Sequence, residues 1–122
     1  MRLQESGEMY LETILVLSEE HSYVRAVDVG EYMGFSKPSV SRAMRLLREA
    51  GYVQTDENGF LQLTESGKAR AKKIYERHTV LSEYLKKIGV SDDVAVDDAC
   101  KLEHYMSDET FEALRRQLEA IS

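Results

Sequence analysis

The 122-residue sequence predicts a mainly α-helical chain interrupted once by a small β-hairpin. Three observations carry that expectation. Apolar residues recur at helical spacing over most of the length. The only proline, Pro38, stands where a helix begins and so breaks none. Two short β-prone runs flank the turn-forming DENG.

The elements follow in order. Residues 5–19 place Tyr10, Ile14 and Leu17 on one stripe of an amphipathic helix. VRAVDVGEYMGF predicts a short helix ending at Gly34. In SKPSVSRAMRLLREAGY, Ser36 is the expected N-cap and Pro38 lies in the first turn, where its missing N–H costs little. Val40, Met44 and Leu47 form the buried face of this helix, and Gly51 ends it. Residues 52–55 and 60–63 are the two strands, with Asn58-Gly59 as the tight-turn signal between them. Thr64 caps a long helix running to about Ile88 and closed by Gly89. Its inward stripe is Ala71, Ile74, His78, Leu81, Leu85 and Ile88. A shorter helix spans roughly 93–105, and Ser107-Asp108-Glu109 opens a last one. That last helix carries Phe111, Leu114, Leu118 and Ile121 on one face, a pattern that suits an intramolecular core and a two-fold interface equally.

Composition bounds the function. Hydrophobic residues make up 43% and charged residues 31%, and no apolar run approaches the roughly 20 residues needed to cross a bilayer. MRLQESGEMYLETILVL has acids within its apolar stretch and no small-residue cleavage site, unlike a signal peptide. One cysteine cannot form an internal disulfide, so the expected compartment is the reducing cytoplasm, with no membrane partner. Net charge is −6, which taken alone argues against nucleic acid. Its distribution points the other way: between Ser36 and Arg48 stand four bases and no acid, whereas from Glu76 onward eleven acids face six bases.

Helix, tight turn, basic helix and hairpin make up the order of a winged helix-turn-helix. The basic helix leaves Ser36, Lys37, Pro38, Ser39, Ser41, Arg42, Arg45 and Arg48 available to double-stranded DNA. Small hydroxyl residues near its start approach bases or phosphates closely, and Arg42 can reach a guanine edge. Asn58, at the hairpin tip, lies along a neighbouring groove or backbone. A charged helix face is more often simply solvated, and it is the order of elements that tips this one towards DNA. The surface lacks stacking aromatics, which disfavours RNA.

The C-terminal half raises a different chemistry. Cys100, Glu103 and His104 fall at i, i+3 and i+4, one face of the expected helix. Met9 and Glu12 share a face of the first helix, and His78 interrupts an apolar stripe. Thioether, thiolate, carboxylates and imidazoles together suit a divalent transition metal. Individually each has a plainer role, as core histidine, packed methionine, buried thiol or solvated carboxylate. An enzyme using Cys100 as nucleophile and His104 as base lacks an orienting third group and an oxyanion loop, so no catalytic residue is expected.

EMYLETI, FSKPSVSRAMRLLREAGYV, LTESGKARA, ERH and DACKLEHYMSDE carry a resemblance across essentially the whole chain. It resembles the iron- and manganese-dependent repressor family of bacteria, of the diphtheria toxin repressor and manganese transport regulator type. The resemblance implies a winged helix-turn-helix DNA-binding domain over residues 1–70, followed by an α-helical metal-binding and dimerisation domain over 71–122. It implies Met9, Cys100, Glu103 and His104 as one metal site, with Glu12 and His78 in a neighbouring one. A homodimer on a palindromic operator follows, repressing transcription when metal is bound; a metal-independent regulator of the same fold is the alternative.

Departures from the family pattern refine this expectation. Manganese-type members carry aspartate in place of Met9 and glutamate in place of Cys100, whereas iron-type members carry the methionine and cysteine. Their ancillary site also uses a carboxylate at the position of Ser82 and a histidine at that of Val96, and this chain has neither. The SH3-like third domain of many iron-type members is not expected. The softer ligands favour Fe(II), with Mn(II) second.

Overall fold

The computed structural model describes residues 5–122, and side chains from Ser6 onward. Met1 to Gln4, the start of the stretch compared above with a signal peptide, lie outside the described residues. Six helices and one hairpin run in the order α1 (Glu5–Glu20), α2 (Ala26–Met33), α3 (Lys37–Glu49), β1 (Val53–Thr55), β2 (Leu61–Leu63), α4 (Glu65–Lys87), α5 (Asp92–Leu102) and α6 (Asp108–Ile121). The chain divides into two compact units, one ending at Lys72 and the other spanning Lys73–Ser122. No helix among the described residues is long and apolar enough to cross a membrane.

In the first unit, Tyr10, Leu11, Ile14 and Leu17 of α1 meet Val29 of α2, Val40, Met44 and Leu47 of α3, and Val53, Leu61 and Leu63 of the strands. Leu11 and Ile14 are fully buried, each stabilising the fold by about 2 kcal/mol. The turn between α2 and α3 is made by Gly34 at φ 72°, whose N–H reaches the Gly30 carbonyl at 2.9 Å. The strands pair antiparallel with Val53 opposite Leu63 and Thr55 opposite Leu61. The loop between them is longer than a two-residue Asn-Gly turn. Asp56 organises it, its Oδ1 accepting the N–H groups of Asn58 at 2.8 Å and Phe60 at 3.0 Å, with Gly59 at φ 83°.

The sequence offers no hint of what braces this hairpin. Leu61 N–H donates to the Val24 carbonyl at 2.7 Å, tying the strand that follows the loop to the segment before α2. Beside it, the Tyr23 ring packs on Phe60 at 4.6 Å and the Arg25 guanidinium lies 4.7 Å from the same ring. The start of α4 is pinned equally closely. Thr64 Oγ accepts Gly67 N–H at 3.1 Å and donates to the Gly51 carbonyl at 2.6 Å. A Cβ on Gly67 would stand 2.0 Å from the Tyr52 carbonyl oxygen, so only glycine fits there.

In the second unit, Ile74 and Leu81 of α4, Ala95 and Ala99 of α5, and Phe111 and Leu118 of α6 are buried. Two expectations need correction. Ile88 lies past the end of α4 and is 57% exposed, so it does not belong to the inward stripe. Helix α5 ends at Leu102, placing Glu103 and His104 in the turn beyond it. The i+3 bond from Tyr105 N–H to the Leu102 carbonyl tightens that turn. Ser107 then caps α6, accepting Thr110 N–H at 3.1 Å.

Candidate functional site

Helix α3 is held by one face and offers the other. Ser36 caps it in extended conformation, accepting Ser39 N–H at 3.4 Å and donating to Ser39 Oγ at 2.9 Å. Val40, Met44 and Leu47 face the core, while Ser36, Lys37, Pro38, Ser39, Ser41, Arg42, Arg45 and Arg48 are all exposed. Arg45 pairs with Glu49 at 3.3 Å, and Arg48 donates to Thr55 Oγ1 at 3.4 Å, reaching from the helix to the hairpin. Lys37 and Arg42 have no ion pair or hydrogen bond among the described residues, leaving their charge to an external anion. Asn58 is exposed in the hairpin loop. The basic helix and the wing thus belong to one unit and offer cations and small hydroxyls to solvent.

The second constellation is buried. Glu103 is completely inaccessible, yet it is a carboxylate. Its Oε2 lies 3.0 Å from His78 Nδ1, and its Oε1 lies 3.4 Å from His104 Nε2. The His104 side chain is 1% exposed. Ligand atoms of His78, Cys100 and Glu103 all fall within 4.8 Å of one another, with Cys100 half-buried. His104 flanks that triplet on the other carboxylate oxygen. Ending α5 at Leu102 does not separate these residues, because the turn carries Glu103 back towards α4.

Glu103 Oε1 is buried with no hydrogen-bond partner among the described residues. Removing an ionised carboxylate from water costs several kcal/mol unless cations or donors surround it. An imidazole, a thiol and a carboxylate with an unsatisfied oxygen suit a divalent transition metal, so the residues present fit such an ion. Met9 and Glu12 are half-buried on α1 of the first unit, one helical turn apart. Ser82, where iron-type members carry a carboxylate, donates its hydroxyl to the His78 carbonyl at 2.7 Å and braces α4.

Comparison with known families covers both halves of the chain. Residues 2–60 match the N-terminal DNA-binding domain of iron-dependent repressors, and residues 64–122 match their metal-binding and dimerisation domain. The chain belongs to the iron-dependent repressor family. By family it is a metal-dependent, DNA-binding transcriptional repressor with a winged helix-turn-helix and a helical C-terminal domain, and not an enzyme. It is 31% identical over 115 residues to an uncharacterised HTH-type transcriptional regulator of Methanocaldococcus jannaschii, covering 93% of this chain and 92% of that one. To the transcriptional regulator MntR of Escherichia coli it is 33% identical over 106 residues, covering 87% of this chain and 68% of that one. A solved manganese-dependent transcriptional repressor in complex with manganese superposes with a TM-score of 0.84 at 30% identity, covering 93% of this chain. The chain spans about half the length of that structure, 52%.

Proposed function

We propose that this repressor senses Fe(II) in preference to Mn(II), and that it binds a palindromic operator as a homodimer when metal is present. The buried, incompletely satisfied Glu103 carboxylate between His78 and His104 carries the sensing half of this reading. Met9, Cys100, Glu103 and His104 would serve as the ligands of one metal site, and Glu12 and His78 as ligands of a neighbouring one. Bound there, the ion supplies positive charge to a carboxylate that has lost its water. A metal that prefers the operator-binding form of the protein couples the two equilibria. By linkage, metal then strengthens operator binding, and operator strengthens metal binding by the same factor.

The soft donors support the iron preference. Cys100 and Met9 provide sulfur, which suits Fe(II) better than the harder Mn(II). A structural relative named as a manganese-dependent repressor makes Mn(II) the second choice. On the DNA side, Lys37, Arg42, Arg45 and Arg48 meet phosphates or base edges, Ser36, Pro38, Ser39 and Ser41 allow close approach at the N-terminus of α3, and Asn58 reaches from the wing. With a single cysteine and DNA as its partner, the protein works in the reducing cytoplasm.

Anaerobic capture of sheared genomic DNA on the purified protein tests the whole reading. A few fragments retained with Fe(II), fewer with Mn(II) at the same free concentration, and none with chelator is the expected outcome. Equal retention with both metals removes the iron preference. Equal retention under chelator removes sensing altogether.

A further inference from the structure

We propose that Arg77 is a positioning residue for the metal site: it fixes Glu103 against His78 by clamping the turn that carries it. This rests on the metal reading above. The guanidinium is 6% exposed and lies wholly within the second unit. Its Nη1 donates to the Glu103 carbonyl at 3.1 Å and to the Met106 carbonyl at 2.6 Å. Its Nη2 donates to Asp108 Oδ1 at 2.5 Å, and the Phe111 ring lies beneath it, 5.5 Å from centroid to guanidinium carbon. One side chain of α4 thus spans the turn between α5 and α6.

The adjacent residue of α4 takes the other end of the same glutamate. Arg77 holds the Glu103 backbone carbonyl, and His78 meets the Glu103 carboxylate at 3.0 Å. Two consecutive residues of one helix therefore grip one ligand by its main chain and its side chain. Helix α5 ends at Leu102, and beyond it the backbone is held by Glu103 N–H to the Ala99 carbonyl at 3.0 Å and Tyr105 N–H to the Leu102 carbonyl at 3.1 Å. The arginine adds to these the hold on the Glu103 and Met106 carbonyls, which those backbone bonds leave free to accept.

The clamp is an inefficient way to stabilise a fold. Arg77 Nε is buried with no hydrogen-bond partner among the described residues, and a buried cation is often outdone by an apolar residue of similar volume. Nor does its charge favour a metal cation nearby, although Asp108 offsets it. What the guanidinium supplies is a planar fork of donors in fixed geometry. A lysine keeps the charge but cannot present that fork to two carbonyls and a carboxylate, so charge and geometry can be separated by experiment.

The test is an anaerobic Co(II) titration of the full chain, read by d–d absorption and by competition with a chromophoric chelator. Arg77→Gln and Arg77→Lys should each weaken Co(II) binding by about 10- to 100-fold, the range for groups that orient metal ligands. The d–d spectrum at saturation should also change, which a simple loss of stability would not produce. Lys73→Gln removes the exposed pair with Asp108 and leaves the carbonyl clamp, so its affinity should stay within about twofold of wild type. Folded Arg77 variants with wild-type affinity and spectrum overturn the proposal and leave the metal site standing. Variants that are unfolded without metal and not restored by saturating Co(II) make Arg77 a folding residue and also overturn it. A wild-type chain that takes up no Co(II) sinks the metal reading itself, and the positioning role with it.

Discussion

The outer face of α3 and the turn after α5 both concentrate charge, but they treat it in opposite ways. On α3 the cations stand in water, and Lys37 and Arg42 keep no partner among the described residues. In the turn, Glu103 is withdrawn from water completely and set between two imidazoles. An exposed charge costs the fold little and remains available to a polyanion. A buried charge costs several kcal/mol and persists only where something repays it. The proposed DNA surface is therefore set by the exposed face of α3 and the wing beside it, whereas the proposed metal site depends on the packing of α4, α5 and the turn between α5 and α6.

The contrast can be broken from the buried side first, where effects should be largest. Glu103→Gln preserves shape and removes the charge, and metal affinity should fall by about 30-fold to several thousand-fold, the roughly 2–5 kcal/mol typical of breaking a buried charge pair. Isothermal titration and operator binding under metal should fall together, while the metal-free protein stays as stable or gains stability in urea. A loss of stability without loss of metal binding would reverse the assignment.

Gly67→Ala comes next. Its Cβ would collide with the Tyr52 carbonyl, so urea unfolding should show a loss of about 3 kcal/mol, the upper end for overpacking. The damage should appear in the hairpin and α3, which share the first unit with Gly67.

Surface changes should be smaller and should leave stability alone. Arg42→Ala should cost about 1–3 kcal/mol of operator affinity and relax sequence preference at one position. Lys37→Ala should weaken binding uniformly across sequences and reduce the salt slope by about one. Salt titrations of fluorescence anisotropy distinguish the two. If Arg42→Ala instead behaves like Lys37→Ala, its contact is to phosphate.

The smallest effect concerns acid. Lys73, and then Arg77, hold the Asp108 carboxyl below its ordinary value of 3.8. A lowered folded-state value means the pair stabilises above that ordinary value and loses its contribution as pH falls below it. Because Asp108 is exposed, screening keeps the contribution modest. Acid unfolding of Asp108→Asn, compared with wild type, should show a slightly flatter dependence below pH 3.8.

Local chemistry made much of the architecture legible. Ser36, Ser107 and Thr64 cap helices because a hydroxyl can satisfy a free N–H a few residues ahead, whatever lies elsewhere. Val40, Met44 and Leu47 share a face because the helical period requires it. Gly34 and Gly59 sit where backbone with positive φ is needed. The basic stripe of α3 follows from the same periodicity, since a buried face fixes the exposed one.

Long-range contacts made the remainder. Helix α5 ends three residues earlier than its pattern extends, because a turn and the cap of α6 claim the backbone there. Ile88 continues the apolar spacing of α4 but lies beyond its last turn, so periodicity overstated the stripe. Arg25 over Phe60, and Arg77 across the carbonyls of Glu103 and Met106, join residues more than twenty positions apart, and no spacing rule relates them. Glu103 shows the division most clearly. Its residue type and its place near Cys100 and His104 were visible in the chain, and they named the chemistry. Its complete burial, and the oxygen left without a donor, arose only when α4 closed over the turn, because desolvation belongs to the folded surroundings of a residue and not to its neighbours in sequence.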